Sequence, residues 1–178
     1  CTDARHEGIG GNIEALSFVW MDGSPSDYEN WAAGEPIVVV LGDNLIEGNI
    51  CQAVTNFREQ GSGAKILLKE VPDPERFGVA TLDGEHVTKI VEKPSDPETN
   101  LAVIGIYMYD GKVWDIIGAL EPSKRGEMEI TDVNNSYIED GTMTFEVLDG
   151  WWTDAGTFES LHRASNLVAD GGANNMGD

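Results

Sequence analysis

Basic residues are scarce in this sequence: 11 lysines and arginines stand against 32 aspartates and glutamates, giving a net charge of −21. A surface of that sign repels phosphate backbones and anionic lipids, so we expect neither a nucleic-acid partner nor a membrane partner. Cysteine is rare too, and its two residues form no disulfide framework, which favours a cytoplasmic protein. No apolar run approaches the length of a membrane span.

The acidic excess is spread along the whole chain, which indicates a halophilic protein whose self-repulsion is screened by concentrated counterions. An ordinary acidic protein is the alternative. The 178 residues suit a single domain, 1–178, with 171–178 as a disordered tail. Because the sequence starts at Cys1 amid polar residues, we expect a fragment or a processed product.

The stretch 36–44, PIVVVLGDN, combines an apolar run with a glycine and an aspartate at its end. Five apolar residues, Ile37 to Leu41, predict a strand buried on both faces. Gly42 then permits a turn and places Asp43 at the carboxyl end of that strand, where ligands bind in open α/β sheets. A turn aspartate is the simpler interpretation of Asp43.

Periodicity predicts a layered α/β domain. The strand 37–41, a helix over 49–60 ended by Gly61 and a strand over 66–68 form a predicted βαβ unit with parallel pairing. Asp83-Gly84 predicts a hairpin. The remaining predicted strands cover 77–82, 87–91, 101–109 and 143–148, and the remaining helices cover 112–120, 127–139 and 157–169, the last with Thr157 as N-cap.

Five stretches, taken in order and spacing, carry a family resemblance: LGDN at 41–44, VEKP at 91–94, NLAVIG at 100–105, RGEMEITDVN at 125–134 and WWTDAG at 151–156. Together they resemble the sugar-1-phosphate nucleotidylyltransferases, and among these the glucose-1-phosphate thymidylyltransferases. The resemblance implies a Rossmann-like nucleotidyltransferase fold, with a mixed, mostly parallel sheet flanked by helices. It also implies an Mg²⁺-dependent in-line reaction of dTTP with glucose 1-phosphate that yields dTDP-glucose, a precursor in dTDP-rhamnose and polysaccharide biosynthesis, and pyrophosphate.

The resemblance assigns the catalytic and metal-binding residues. Asp43 and Asp154 match the two Mg²⁺ ligands, and hard cations of this kind favour carboxylate and phosphate oxygens. Lys93 matches the lysine that holds the sugar phosphate, and with Asp43 it makes up the expected catalytic pair. A helix-capping role for Asp154 and a solvated lysine at 93 are the structural alternatives.

The sugar-binding and nucleotide-binding residues implied by the resemblance are Gly11, Gly78, Glu92, Lys93, Val103 and Trp152. Strand alternation would direct Glu92 and Lys93 to opposite faces, and we expect Pro94 to break it. Trp152 is an aromatic wall near the phosphates or a core residue. We interpret Arg125, Glu129 and Asp132 as structural or interface residues.

Some expected features are absent or altered. A glycine-rich G-x-G-T-R loop has no counterpart, so we expect the first strands of the sheet and half of the nucleotide site to lie outside this chain. His6 stands where the family has a base-reading glutamine, and 18–27 is an insertion. A UTP-dependent enzyme and a non-catalytic sugar-phosphate-binding relative therefore remain alternatives. The family implies a homo-oligomer.

Overall fold

The computed structural model describes residues 35–123 and 128–173. Its strands are β1 (Ile37–Val40), β2 (Asn44–Ile46), β3 (Ala64–Glu70), β4 (Gly78–Asp83), β5 (His86–Glu92), β6 (Leu101–Tyr109), β7 (Met143–Val147) and β8 (Trp152–Asp154). Its α-helices are α1 (Cys51–Gln60), α2 (Val113–Ala119), α3 (Ile130–Glu139) and α4 (Phe158–Gly171). A short 3₁₀ turn, Pro74–Arg76, precedes β4. Among these described helices, none combines the length and apolar character that crossing a membrane requires.

Within the described residues, six strands form one mixed sheet in the order β5-β4-β6-β3-β7, with β1 added beside β6. The strands β1, β3, β4 and β7 run in one direction, and β5 and β6 run against them. This mixed sheet, flanked by helices, confirms the predicted fold class. A separate ribbon pairs β2 with β8.

The long strand β6 organises the sheet. One of its edges pairs with β3, and the other is shared by two strands in succession. At that shared edge, β4 pairs near the start of β6, where Gly78 faces Val103, and β1 pairs near its end, where Val40 faces Ile106. The carboxyl end of β1 and the amino end of β4 therefore lie close together along β6, with Gly105 between them.

Two predictions about the first strand are wrong. β1 and β3 run parallel but do not pair with each other, because the antiparallel strand β6 lies between them. The strand is also not buried on both faces. Ile37 and Val39 pack against the core, whereas Val38 and Val40 are 42% and 48% exposed, since no described element covers that side.

The core lies on both sides of the sheet. One cluster joins Ile66 and Leu68 of β3 to Val133 and Tyr137 of α3. The other joins the intervening Leu67 to Phe57 of α1. Alternate side chains of β3 therefore enter opposite layers, as the pleat of a strand requires.

The four helices in the described residues begin and end within three residues of their predicted boundaries. Gly61 ends α1 in the left-handed conformation, with a φ of 80°. Thr157 caps α4 through a reciprocal capping box with Ser160. Gly171 belongs to α4 rather than to the predicted tail, and residues 174–178 lie outside the described part. The predicted insertion, 18–27, also lies outside it.

Candidate active site

The ribbon of β2 and β8 brings Asp43 and Asp154 together. Asn44 is the register partner of Asp154, and the Ala155 N–H donates to the Asp43 carbonyl over 2.7 Å. A Cβ placed on Gly156 would lie 3.4 Å from Asp43 Oδ2 and 3.8 Å from Asp154 Oδ2. Both carboxylates therefore border the same small space beside Gly156, although they are far apart in the sequence.

Asn44 holds this pair in place and is not among the predicted site residues. Its amide Nδ2 donates to Asp43 Oδ1 over 2.9 Å. Its Oδ1 accepts from the Gly105 N–H over 3.1 Å and from Trp152 Nε1 over 2.7 Å. A Cβ on Gly105 would lie 2.5 Å from Asn44 Nδ2, so a side chain at 105 would displace this brace. The Asn that follows the aspartate in LGDN was the available signal.

Three of the predicted sugar-site residues are neighbours across three strands. Gly78 of β4 faces Glu92 of β5 on one side and Val103 of β6 on the other. The Glu92 carboxylate accepts from Thr131 Oγ1 over 2.8 Å. A Cβ on Gly78 would lie 3.3 Å from Glu92 Oε2 and 3.6 Å from Thr131 Oγ1. Glycine at 78 therefore leaves room for the Glu92 carboxylate.

Lys93 has a left-handed backbone, with a φ of 43°. Residues other than glycine adopt this conformation at a cost, and it breaks the alternation that would separate Lys93 from Glu92. The Lys93 Nζ consequently lies 3.7 Å from Glu92 Oε1. The prediction that Pro94 breaks the alternation is wrong, because the break lies one residue earlier, at Lys93.

Trp152 contributes to both the site and the core. Its ring meets Phe77 edge to face, with centroids 5.3 Å apart, while its Nε1 donates to Asn44. It is also packed against the core cluster that contains Phe57. Both interpretations of this residue, site wall and core residue, are therefore consistent with its contacts.

Two guanidinium groups flank Asp154. Arg76 Nη2 lies 3.8 Å from Oδ2, and Arg163 Nη2 lies 3.9 Å from Oδ1. The hydrogen bond from Arg76 to Asp73, together with the carboxylates of Asp73 and Asp154, raises the pKa of Arg76. Neither arginine is among the predicted site residues, because Arg76 lies in a turn and Arg163 on a helix surface.

Tyr107 of β6 is a buried core residue whose phenol senses the nearby carboxylates. Burial raises the pKa of its phenol, and the negative charges of Glu92 and Asp43 raise it further. The aspartate pair and the sugar-site residues meet on β6, because Asn44 Oδ1 accepts from the Gly105 N–H and Gly78 faces Val103 two residues earlier. Gly11 and Arg125 lie outside the described residues.

Asp132 of α3 lies near this region but carries no assigned chemistry. Burial raises the pKa of its carboxyl, with further contributions from Glu129 and Glu92. The Glu129 carboxylate accepts from the Ser123 hydroxyl over 2.7 Å, a contact that ties the start of α3 to the preceding loop. These positions agree with the structural interpretation given to Glu129 and Asp132, which remains a prediction.

The chemistry of the aspartate pair fits a divalent cation such as Mg²⁺. Asp154 Oδ1 is buried and has no hydrogen-bond partner in the described part of the chain. Within residues 35–123 and 128–173, no group of three or more His, Cys, Asp or Glu side chains forms a metal cluster. The described residues would supply two carboxylates, and phosphate and water oxygens commonly fill further positions around Mg²⁺.

The profile of the nucleotidyl transferase family matches residues 24–171. The chain belongs to this nucleotidyl transferase family. It is 43% identical to a glucose-1-phosphate thymidylyltransferase of Xanthomonas campestris over 78% of this chain and 48% of that protein. It is 41% identical to the low-salt glycan biosynthesis nucleotidyltransferase Agl11 of Haloferax volcanii over 80% of this chain and 40% of Agl11.

Solved structures of nucleotidyl transferases share the fold. A Bacillus anthracis protein described as a glucose-1-phosphate thymidylyltransferase, in complex with sucrose, superposes with a TM-score of 0.73 and 49% identity over 81% of this chain and 57% of that one. A UDP-glucose pyrophosphorylase in complex with UDP-glucose superposes with a TM-score of 0.67 and 26% sequence identity. The superposition covers 76% of this chain and 56% of that one. The chain thus spans less than half the length of the two curated relatives and somewhat more than half of the solved chains.

Proposed function

We propose that the complete protein transfers a thymidylyl group from dTTP to glucose 1-phosphate, giving dTDP-glucose and pyrophosphate, with Mg²⁺ as cofactor. The observation that carries this proposal is the arrangement along β6: Asn44 ties the Asp43–Asp154 pair to Gly105, and two residues earlier Val103 faces Gly78, the partner of Glu92. The names of the relatives support the same reaction class. We further infer that the protein acts in the cytoplasm as a homo-oligomer.

In the proposed reaction, an oxygen of the sugar phosphate attacks the α-phosphorus of dTTP, and the bond from that phosphorus to the β-phosphate bridging oxygen breaks. Pyrophosphate leaves with the electron pair. Both reactants are anions, so positioning and charge neutralisation supply most of the rate. Mg²⁺, held by Asp43 and Asp154, would supply positive charge against the phosphates.

The other residues bind and orient the sugar phosphate. The ammonium of Lys93, directed to the same side as Glu92 by its left-handed backbone, pairs with the sugar phosphate. The Glu92 carboxylate accepts hydrogen bonds from sugar hydroxyls, and the hydrogen bond from Thr131 Oγ1 holds the carboxylate in place. The main chains of Gly78 and Val103 contact the sugar, while Trp152 closes one side of the site.

The experiment measures pyrophosphate release by the full-length protein supplied with glucose 1-phosphate and either dTTP or UTP. We expect turnover with dTTP to exceed turnover with UTP, and Asp43→Asn and Asp154→Asn each to reduce it at least 100-fold. Glu59→Gln, an exposed change on α1, is the matched control and should leave the rate unchanged. Full activity of Asp43→Asn would contradict the proposed site.

UTP is the second candidate, because the UDP-glucose pyrophosphorylase shares the fold and His6 replaces the expected base-reading glutamine. A higher rate with UTP would establish that alternative. Calorimetry with glucose 1-phosphate then tests the non-catalytic alternative, for which binding without turnover of either nucleotide is the expected result.

A further inference from the structure

Arg163 is held at the aspartate pair by a well-defined set of contacts. Its Nε and Nη2 both donate to Thr153 Oγ1, over 3.2 and 3.1 Å. Thr153 is buried, and its hydroxyl donates in turn to the Asp154 carbonyl over 3.2 Å. The capping box of Thr157 fixes the start of α4, the helix that carries Arg163. The two hydrogen bonds to Thr153 therefore hold the guanidinium beside Asp154, although about half of the side chain stays exposed.

The guanidinium of Arg163 lies on the Oδ1 side of Asp154. Its Nη2 is 3.9 Å from Oδ1, the buried oxygen without a hydrogen bond in the described residues. Arg76 lies at the other oxygen, but it has a closer carboxylate partner in Asp73, at 2.7 Å. The Asp154 side chain is 20% exposed and one of its oxygens is fully buried, so nearby positive charge stabilises it, and Arg163 supplies such a charge when no metal is bound.

We propose that Arg163 is a positioning residue that pairs with Asp154 in the absence of a divalent cation and thereby weakens cation binding at the Asp43–Asp154 pair. This inference rests on the proposed function, since it takes the aspartates as cation ligands. A cation that approaches Asp154 meets a positive charge already at Oδ1, and the two repel each other. Firm binding then requires the phosphates of a substrate as further ligands, so the cation enters together with the nucleotide.

The test titrates Mn²⁺ into the full-length protein without substrates and follows free Mn²⁺ by electron paramagnetic resonance. Arg163 is 53% exposed, so the repulsion is partly screened, and we expect Arg163→Gln to bind Mn²⁺ about three- to tenfold more tightly than the wild type. Arg163→Lys keeps the charge, and its affinity for Mn²⁺ should stay within about twofold of that of the wild type. Arg58→Gln, an exposed arginine on α1, controls for net charge and should show no change.

Asp154→Asn separates the two proposals. If Asp154→Asn loses Mn²⁺ binding while Arg163→Gln binds as the wild type does or more weakly, the role of Arg163 is wrong and the cation site stands. If Asp154→Asn binds Mn²⁺ as well as the wild type, the cation site itself is wrong. Thermal melting checks the folding of each variant, and Arg163→Met, which keeps the aliphatic stem, replaces Arg163→Gln if that variant unfolds. The increase in Mn²⁺ affinity expected for Arg163→Gln should also become smaller in concentrated KCl, because salt screens the repulsion between Arg163 and the cation.

Discussion

Asn44 lies directly opposite Asp154 in the ladder between β2 and β8. Because Asp43 precedes Asn44, this single register position brings the two aspartates to the same end of the ribbon. The Asn44 side chain then ties Asp43 to Gly105 of β6 and to Trp152 of β8. The geometry of the candidate site therefore depends on a three-residue strand and one amide.

Replacing Asn44 with alanine should damage both stability and turnover. The change removes the acceptor of the Gly105 N–H and the donor to Asp43, and an unsatisfied buried amide costs about 1–3 kcal/mol. We expect the free energy of unfolding to fall by about 2 kcal/mol and kcat to fall about tenfold, with KM for glucose 1-phosphate unchanged. Urea denaturation and steady-state kinetics measure these quantities. Asn166→Ala on the exposed side of α4 is the control, and a normal kcat in Asn44→Ala would limit Asn44 to a structural role.

Gly78→Ala should weaken sugar-phosphate binding. The added Cβ would lie 3.3 Å from Glu92 Oε2, so the carboxylate must move away from the position in which Thr131 holds it. We expect KM for glucose 1-phosphate to rise about tenfold, the equivalent of about 1.4 kcal/mol, with little change in KM for the nucleotide.

Gly118→Ala is the matched control for that change. A Cβ at Gly118 meets no atom within 4 Å, and alanine favours the helix α2 by up to about 1 kcal/mol. This variant should therefore be slightly more stable than the wild type and kinetically unchanged. An unaltered KM in Gly78→Ala would show that Glu92 does not contact the sugar.

Two substitutions of Lys93 separate its charge from its backbone strain. Lys93→Met removes the ammonium and keeps the strained left-handed backbone, whereas Lys93→Gly removes both. We expect both variants to lose at least tenfold in kcat/KM for glucose 1-phosphate. Only the glycine variant should gain stability, by about 1 kcal/mol, since glycine adopts a positive φ without steric cost. A stabilised Lys93→Met variant would contradict this account, and calorimetric melting distinguishes the outcomes.

The sequence predicts those helices and strands that have a long apolar pattern or a clear capping residue. β6 is found at Leu101–Tyr109, as its nine mostly apolar residues indicated, and Thr157 caps α4 as its position before the helix suggested. In each case the local pattern and the tertiary environment favour the same structure. The predicted site residues that the structure describes also lie along one region of the molecule.

The features that sequence analysis missed depend on contacts between distant segments. β2 and β8 have three residues each, too few to show a period of two, and they are stabilised by pairing with each other. A positive φ at Lys93 has no sequence signal, because residues before proline favour extended backbone. Arg163 resembles any charged residue on a helix surface until Thr153 and Asp154 are placed beside it.

Salt should stabilise this protein strongly. With a net charge of −21 in 178 residues, the folded state concentrates mutually repelling carboxylates, and added counterions screen that repulsion. We expect the melting temperature to rise by at least about 10 °C between 0.1 M and 2 M KCl. The measurement is differential scanning calorimetry of the full-length protein at both salt concentrations.

A charge-reduced variant identifies the cause of that stabilisation. Glu59, Glu85, Glu139 and Asp140 are exposed, and changing all four to glutamine or asparagine lowers the net charge from −21 to −17. If screening is responsible, this variant should melt at a higher temperature than the wild type in 0.1 M KCl. Its melting temperature should then rise less than that of the wild type between 0.1 M and 2 M KCl. If instead salt acts by exclusion from apolar surface, both proteins will gain equally, because the substitutions leave apolar burial unchanged. Equal gains would therefore refute adaptation of the acidic surface to concentrated salt.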